Sequence, residues 1–220
     1  DLGTYVYILS IISIFINIAS LGFKQSIIIF LKKDDSLFNP IFNLSFIISI
    51  VNTLLFLIIL IFVRAEYEIL SVSLEFKLIS ILTFYFSAEL LFSYLSSIIL
   101  GLNFYRLYTQ IFIINSLIHV ALLLVLLFFS IVNVENILVI LLLKNFLVLC
   151  FITFKIQNYF NFNFELKSVL YTKMIRNGFI HSLALLLLSL IYSADILVLK
   201  FFEIDAMDFG IYAFTSKIIH

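Results

Sequence analysis

The chain has 220 residues with no formal net charge; 64% are hydrophobic, 12% are charged, and the mean hydropathy is +1.25. Soluble domains carry about 25% charged residues and are about half apolar, so the solvent this composition calls for is lipid. Zero net charge offers no electrostatic footprint for nucleic acid, and a single cysteine, Cys150, excludes an intrachain disulfide and a cysteine metal cluster.

A spanning helix needs about 20 mostly apolar residues. Six such runs are expected, at 4–31, 40–63, 78–101, 111–132, 137–156 and 178–202, with the start of a seventh from 209. The fold class is therefore an all-α integral membrane protein. The runs are too long for barrel strands, which need about 9–11 residues. Short connections make neighbouring runs antiparallel.

The first run is longer than a bilayer requires. Its polar break from Gly22 to Ser26 predicts a bend or an extension beyond the membrane. In the second run, Asn39 reads as the N-cap, with Pro40 at the first helical position. Lys32, Lys33, Arg106, Lys155, Lys167, Lys173 and Arg176 fall on one side of the membrane; Arg64, Lys77 and Lys200 fall on the other. By the positive-inside rule the first side is cytoplasmic. The segment 157–177 interleaves aromatics with asparagines and basic residues, and reads as an interfacial linker on the inner leaflet.

The sequence from Asp1 to Tyr7 returns near the far end, from Asp208 to Phe214. Both follow one pattern: Asp, apolar, Gly, any residue, Tyr, any residue, aromatic. This reads as an internal duplication. A helix precedes the second copy and none precedes the first. The chain is accordingly expected to be an internal piece of a longer protein.

Polar stripes mark the helix faces turned from lipid. Ser10, Ser13, Asn17, Ser20 and Lys24 share one face of the first run; Ser45, Ser49 and Asn52 mark the second; Ser80, Thr83 and Ser87, and separately Glu89, Ser93 and Ser96, mark the third. Packing of small residues explains most of these. Ionisable groups are harder to explain that way, because charge at mid-membrane is costly. Glu89 stands about 17 Å from either end of its run, beyond reach of an interface. Lys144 and Asp195 stand about 10 Å from the outer ends of theirs. Snorkelling or pairing with Glu89 is the plainer reading of Lys144, and an interfacial lysine that of Lys24. His119 and His181 lack a metal partner one turn away and read as core or interface histidines. No Gly-rich phosphate loop, nucleophile motif or zinc pattern is present, so neither catalysis nor a cofactor is expected.

The strings Lys173 to Gly178, Tyr192 to Phe202 and Asp208 to Ile218, together with Leu2 to Tyr5 and Leu21 to Ser26, resemble Wzx-type polysaccharide flippases. These belong to the multidrug/oligosaccharidyl-lipid/polysaccharide exporter superfamily. The resemblance implies a two-bundle transporter of about twelve or more helices. It would move an undecaprenyl-diphosphate-linked oligosaccharide from the inner to the outer leaflet of the bacterial cytoplasmic membrane. Residues 1–156 would supply helices two to six of the N-terminal bundle, 157–177 the linker, and 178–220 the start of the C-terminal bundle. Lys24, Asn17, Arg106 and Lys144 would meet the substrate, and Glu89 and Asp195 would couple transport to H⁺ or Na⁺. Its partners would be the lipid-linked substrate, membrane lipids and other polysaccharide-assembly membrane proteins. The alternatives are a drug or cation antiporter of the same superfamily, a membrane enzyme such as a polymerase or acyltransferase, and a purely structural subunit. A cation antiporter wants an acidic lumen without Lys144.

Overall fold

The computed structural model describes residues 2–20, 22–66, 76–129, 133–157, 168–201 and 212. Among these the regular structure is helical: α1 (Leu2–Ser20), α2 (Phe23–Lys33), a 3₁₀ turn (Asp35–Leu37), α3 (Phe38–Glu66), α4 (Phe76–Gly101), α5 (Tyr105–Phe128), α6 (Val134–Ile156) and α7 (Ser168–Phe201). Four stretches are long and apolar enough to cross a membrane: Asp35–Phe62, Phe76–Gly101, Tyr105–Phe128 and Val134–Ile156. Counting the bent α1–α2 pair as one span makes five. The second copy of the repeated string, apart from Tyr212, lies outside the described residues.

The break in the first run is a bend of 45°. Gly22 makes it with φ 63, in the left-handed region that residues with a Cβ avoid. A Cβ there would also collide with the Gly178 carbonyl of α7, so the bend doubles as a point of backbone-to-backbone contact. One turn on, the Ser26 hydroxyl donates to the Met174 carbonyl at 2.8 Å with both residues buried, tying α2 to α7.

Helix ends follow capping chemistry more closely than hydropathy. Before α3 the side chain of Asp34, not Asn39, provides the cap, accepting from the Ser36 N–H at 3.0 Å. Pro40 then falls third in the helix, where its missing N–H still leaves no broken bond. α5 starts at Tyr105, six residues before the apolar run read from the sequence, and α6 starts at Val134 under an Asn133 cap that accepts from the Asn136 N–H at 2.7 Å. Between α4 and α5, Asn103 adopts φ 61, and the Phe104 N–H returns to the Ile99 carbonyl at 3.1 Å. α7 begins at Ser168, so 168–177, read as part of the interfacial linker, are its first residues.

α4 is the central helix. It packs against α2, α3 and α6, with lighter contact to α1 and α5, while α7 packs against α1 and α2. Leu90, Tyr94, Ile98 and Ile99 on α4 are fully buried, as are Ile27 and Leu31 on α2 and Leu138, Val148 and Ile152 on α6. Phe23 meets Tyr94 edge-on at 5.5 Å, and Phe56 of α3 stacks on Phe86 at 4.3 Å. Outward, α3 exposes Phe46, Leu54, Ile58 and Phe62, and α5 exposes Leu117, Leu124, Leu127 and Phe128. Such faces suit hydrocarbon. Lys77 pairs with Glu135 at one end of α4 and α6, and the Lys32 ammonium lies 5.8 Å over the Tyr105 ring where α2 ends and α5 begins. These contacts fix the two ends of the bundle in the order the short connections predict.

Candidate functional site

Several hydroxyls of the polar stripes are spent within their own helices. Ser45, Ser80 and Thr83 each donate to the carbonyl four residues back, and Ser20 and Ser96 to the carbonyl three back, the habit that lets a hydroxyl sit in an apolar helix. Ser13 and Ser80 are exposed, so their stripes are not wholly turned inward. Asn52 does cross between helices, its Nδ2 donating to the Ala19 carbonyl at 2.9 Å and pinning α3 to α1 just before the bend.

The ionisable residues behave differently. Glu89 lies midway along α4. Asn145 of α6, fully buried, donates from Nδ2 to Glu89 Oε2 at 2.7 Å. The sequence suggested Lys144 as the partner of Glu89; the bond is made by its neighbour. Lys144 is itself only 8% exposed, which removes snorkelling as its explanation. It is also deeper than expected: α6 begins at Val134, which places Lys144 about 15 Å from that end. Lys24 is the second residue of α2, and the helix continues to Lys33, about 14 Å further. Glu89 and Lys144 therefore sit away from helix ends, and Lys24 sits at the bend between α1 and α2.

They also act on one another. Lys24 and Lys144 both lie within electrostatic reach of Glu89. Lys144 in turn bears on His119 of α5. This row comprises Lys24 on α2, Glu89 on α4, Asn145 and Lys144 on α6, and His119 on α5. Among the described residues the ion pair within 4 Å is Lys77–Glu135, so neither lysine touches Glu89 directly. Several buried polar atoms near this row have no hydrogen-bond partner among the described residues: Asn145 Oδ1, Ser93 Oγ, His119 Nε2 and Asn115 Oδ1, the last one turn before His119 on α5. Polar atoms left this way in an apolar interior mark a place where water or a ligand is wanted.

Of the residues read as candidates from sequence, the structure brings Lys24, Glu89 and Lys144 together. Asn17 is half-buried on α1; its carbonyl accepts from the Ser20 hydroxyl, and its side chain makes no hydrogen bond to the row. Arg106 is exposed at the start of α5. Asp195 falls within α7, and its side chain lies outside the described residues. Asn145 and His119 join the site without having been singled out for it. The signal for Asn145 was its place beside Lys144 in an otherwise apolar run. The sequence offers His119 no metal partner on its own helix, and its charged neighbour comes from α6. No group of three or more metal-ligating side chains occurs among the described residues. Two recesses lie off the row. One of about 590 Å³ lies between α4 and α6 and is lined by Phe84, Leu91, Phe146 and Cys150. One of about 210 Å³ lies at the α1–α2 bend, between Phe23, Val51 and Ile175.

The architecture and this row define a helical protein with four or five stretches long and apolar enough to cross a membrane and with ionisable groups set among its helices. No family model, curated protein or solved structure matches the chain.

Proposed function

We propose that this chain is part of a transporter that flips an undecaprenyl-diphosphate-linked oligosaccharide from the inner to the outer leaflet of the bacterial cytoplasmic membrane by alternating access. The carrying observation is Lys144, a buried ammonium inside an apolar bundle with no hydrogen bond or direct ion pair among the described residues. A charge at such depth is costly and is retained where an anion or a water-filled path receives it. Lys24, also within electrostatic reach of Glu89, gives the same region a second cation. A diphosphate on a lipid carrier fits two cations in an otherwise greasy interior, and the flippase-like strings at both ends of the sequence support the same reading. The protein works as a carrier, not an enzyme, and moves its substrate together with an ion held at Glu89. Two lysines within electrostatic reach of Glu89 disfavour the cation-antiporter alternative.

The test is a flipping assay with the full-length protein in vesicles holding the lipid-linked oligosaccharide, read by lectin access to the outer leaflet. Lys144→Gln is expected to slow transfer at least about tenfold, the kinetic equivalent of losing about 1.4 kcal/mol of charge-assisted contact. Unchanged transfer in both Lys144→Gln and Lys24→Gln would remove the lysines from the substrate path and the reading with them.

A further inference from the structure

We infer that the groove between α4 and α6 holds the hydrocarbon tail of the carrier lipid, a single chain longer than one leaflet of the bilayer. This rests on the reading above and adds to it the place where the tail is held.

The groove follows from where small side chains fall. On α6, Leu142, Phe146, Cys150 and Phe154 succeed one another every four residues, and Leu149, Thr153 and Gln157 form the adjacent row. α4 contributes Phe84, Ser87, Ala88 and Leu91. Ser87 and Ala88 on one helix, and Cys150 and Thr153 on the other, leave the space that larger neighbours wall in. The walls open outward: Phe84, Phe146 and Phe154 are 65%, 60% and 65% exposed. The Thr153 hydroxyl is spent on the Leu149 carbonyl at 2.8 Å. Among the described residues no Asp, Glu, Lys, Arg or His lines the groove, so it offers nothing to a charged head. Its volume of about 590 Å³ is that of a pocket for a sizeable molecule.

Length selects among apolar occupants. The lining residues run along α6 from Leu142 to Gln157, about 22 Å at 1.5 Å per residue. A hydrocarbon core of about 30 Å gives the chains of one leaflet about 15 Å. Gln157 is the C-cap of α6, and Asn145 is the midpoint of that helix. The groove therefore runs from the helix end to about one turn past the middle. An acyl chain anchored at that end stops short of Leu142. A polyprenyl chain, longer than one leaflet, covers the whole length.

Position points the same way. Asn145 is fully buried and stands about one turn from both Leu142 and Leu149; Glu89 follows Ala88 in the chain. The 2.7 Å bond between Asn145 and Glu89 thus lies directly inward of the groove floor. One pair of helices presents an apolar channel to the lipid and polar groups to the interior. A lipid with a long tail and a charged head needs both.

Photo-crosslinking on the full-length protein in nanodiscs tests this. The probes are undecaprenyl diphosphate carrying a diazirine on its tail and phosphatidylethanolamine carrying one on an acyl chain. The polyprenyl probe is expected to label the stretch from Leu142 to Phe154, with the label displaced by plain undecaprenyl diphosphate and not by farnesyl diphosphate. Cys150→Trp fills the groove and is expected to cut that labelling, and the flipping of undecaprenyl-linked oligosaccharide, at least about tenfold. Leu147→Trp, as bulky but at an exposed position of α6 outside the groove, should change neither by more than about twofold. Should Cys150→Trp fail to fold, the labelling of the wild type decides. Labelling by the acyl probe that undecaprenyl diphosphate does not displace, or polyprenyl labelling spread evenly over α3, α5 and α6, overturns the inference. In that case a flipping defect in Lys144→Gln would leave the transport reading standing. Displaceable labelling of the groove in a wild type that flips nothing supports the tail site and contradicts the transport reading.

Discussion

At the scale of single residues, the bond from Asn145 to Glu89 is, among the described residues, the hydrogen bond that joins two helices within the charged row. Interhelical hydrogen bonds inside membranes contribute about 1–2 kcal/mol, and less where the unfolded chain finds other partners. Asn145→Leu is therefore expected to lower stability in detergent or bicelles by about 1–2 kcal/mol. Ser97→Ala, which removes only a bond to its own helix, should stay within about 0.5 kcal/mol of wild type. Equal losses from the two substitutions, measured by denaturant unfolding, would show that the α4–α6 bond holds nothing in place. The charged members of this site could be read from the sequence, because an ionisable side chain in an apolar run has few innocent explanations. Their pairing could not. Whether Lys144 or Asn145 reaches Glu89 depends on how α6 is rotated about its axis against α4, which one residue's difference changes by about 100°.

At the scale of elements, hydropathy located the helices and missed their ends. An apolar run measures the thickness of hydrocarbon to be crossed; it does not measure the helix. Tyr105 to Gln110 and Ser168 to Asn177 are polar enough to fall outside the runs, yet they continue α5 and α7, because nothing in them breaks a helix. Asn133 and Asp34 set the starts of α6 and of the turn before α3 through side-chain bonds that hydropathy does not register. The bend at Gly22 was legible as a polar interruption, whereas its docking on α7 was not, since that depends on the distant Gly178. Gly22→Ala tests the junction. The left-handed φ alone costs about 1–2 kcal/mol for a residue with a Cβ, and the clash with Gly178 adds to it. A loss of at least about 2 kcal/mol is expected. A loss under about 0.5 kcal/mol, by the same unfolding measurement, would mean that α1, α2 and α7 do not meet as described.

At the scale of the whole molecule, the outward faces of α3 and α5 are apolar while the charged row is turned among α2, α4, α5 and α6. That inversion, with grease outside and charge within, is what the account of a carrier depends on. A structural subunit would gain nothing from two lysines and a carboxylate at this depth, and a transporter of anions would. The most direct measurement is the aqueous accessibility of position 144 in the full-length protein. Cys150, exposed on the outer face of α6, is first replaced by serine, and Lys144→Cys is then challenged with a small, charged, membrane-impermeant thiol reagent. The account predicts that the cysteine reacts. Complete resistance to the reagent from both sides of the membrane would contradict it, because the row would then be sealed within the bundle with no path for a substrate to reach it.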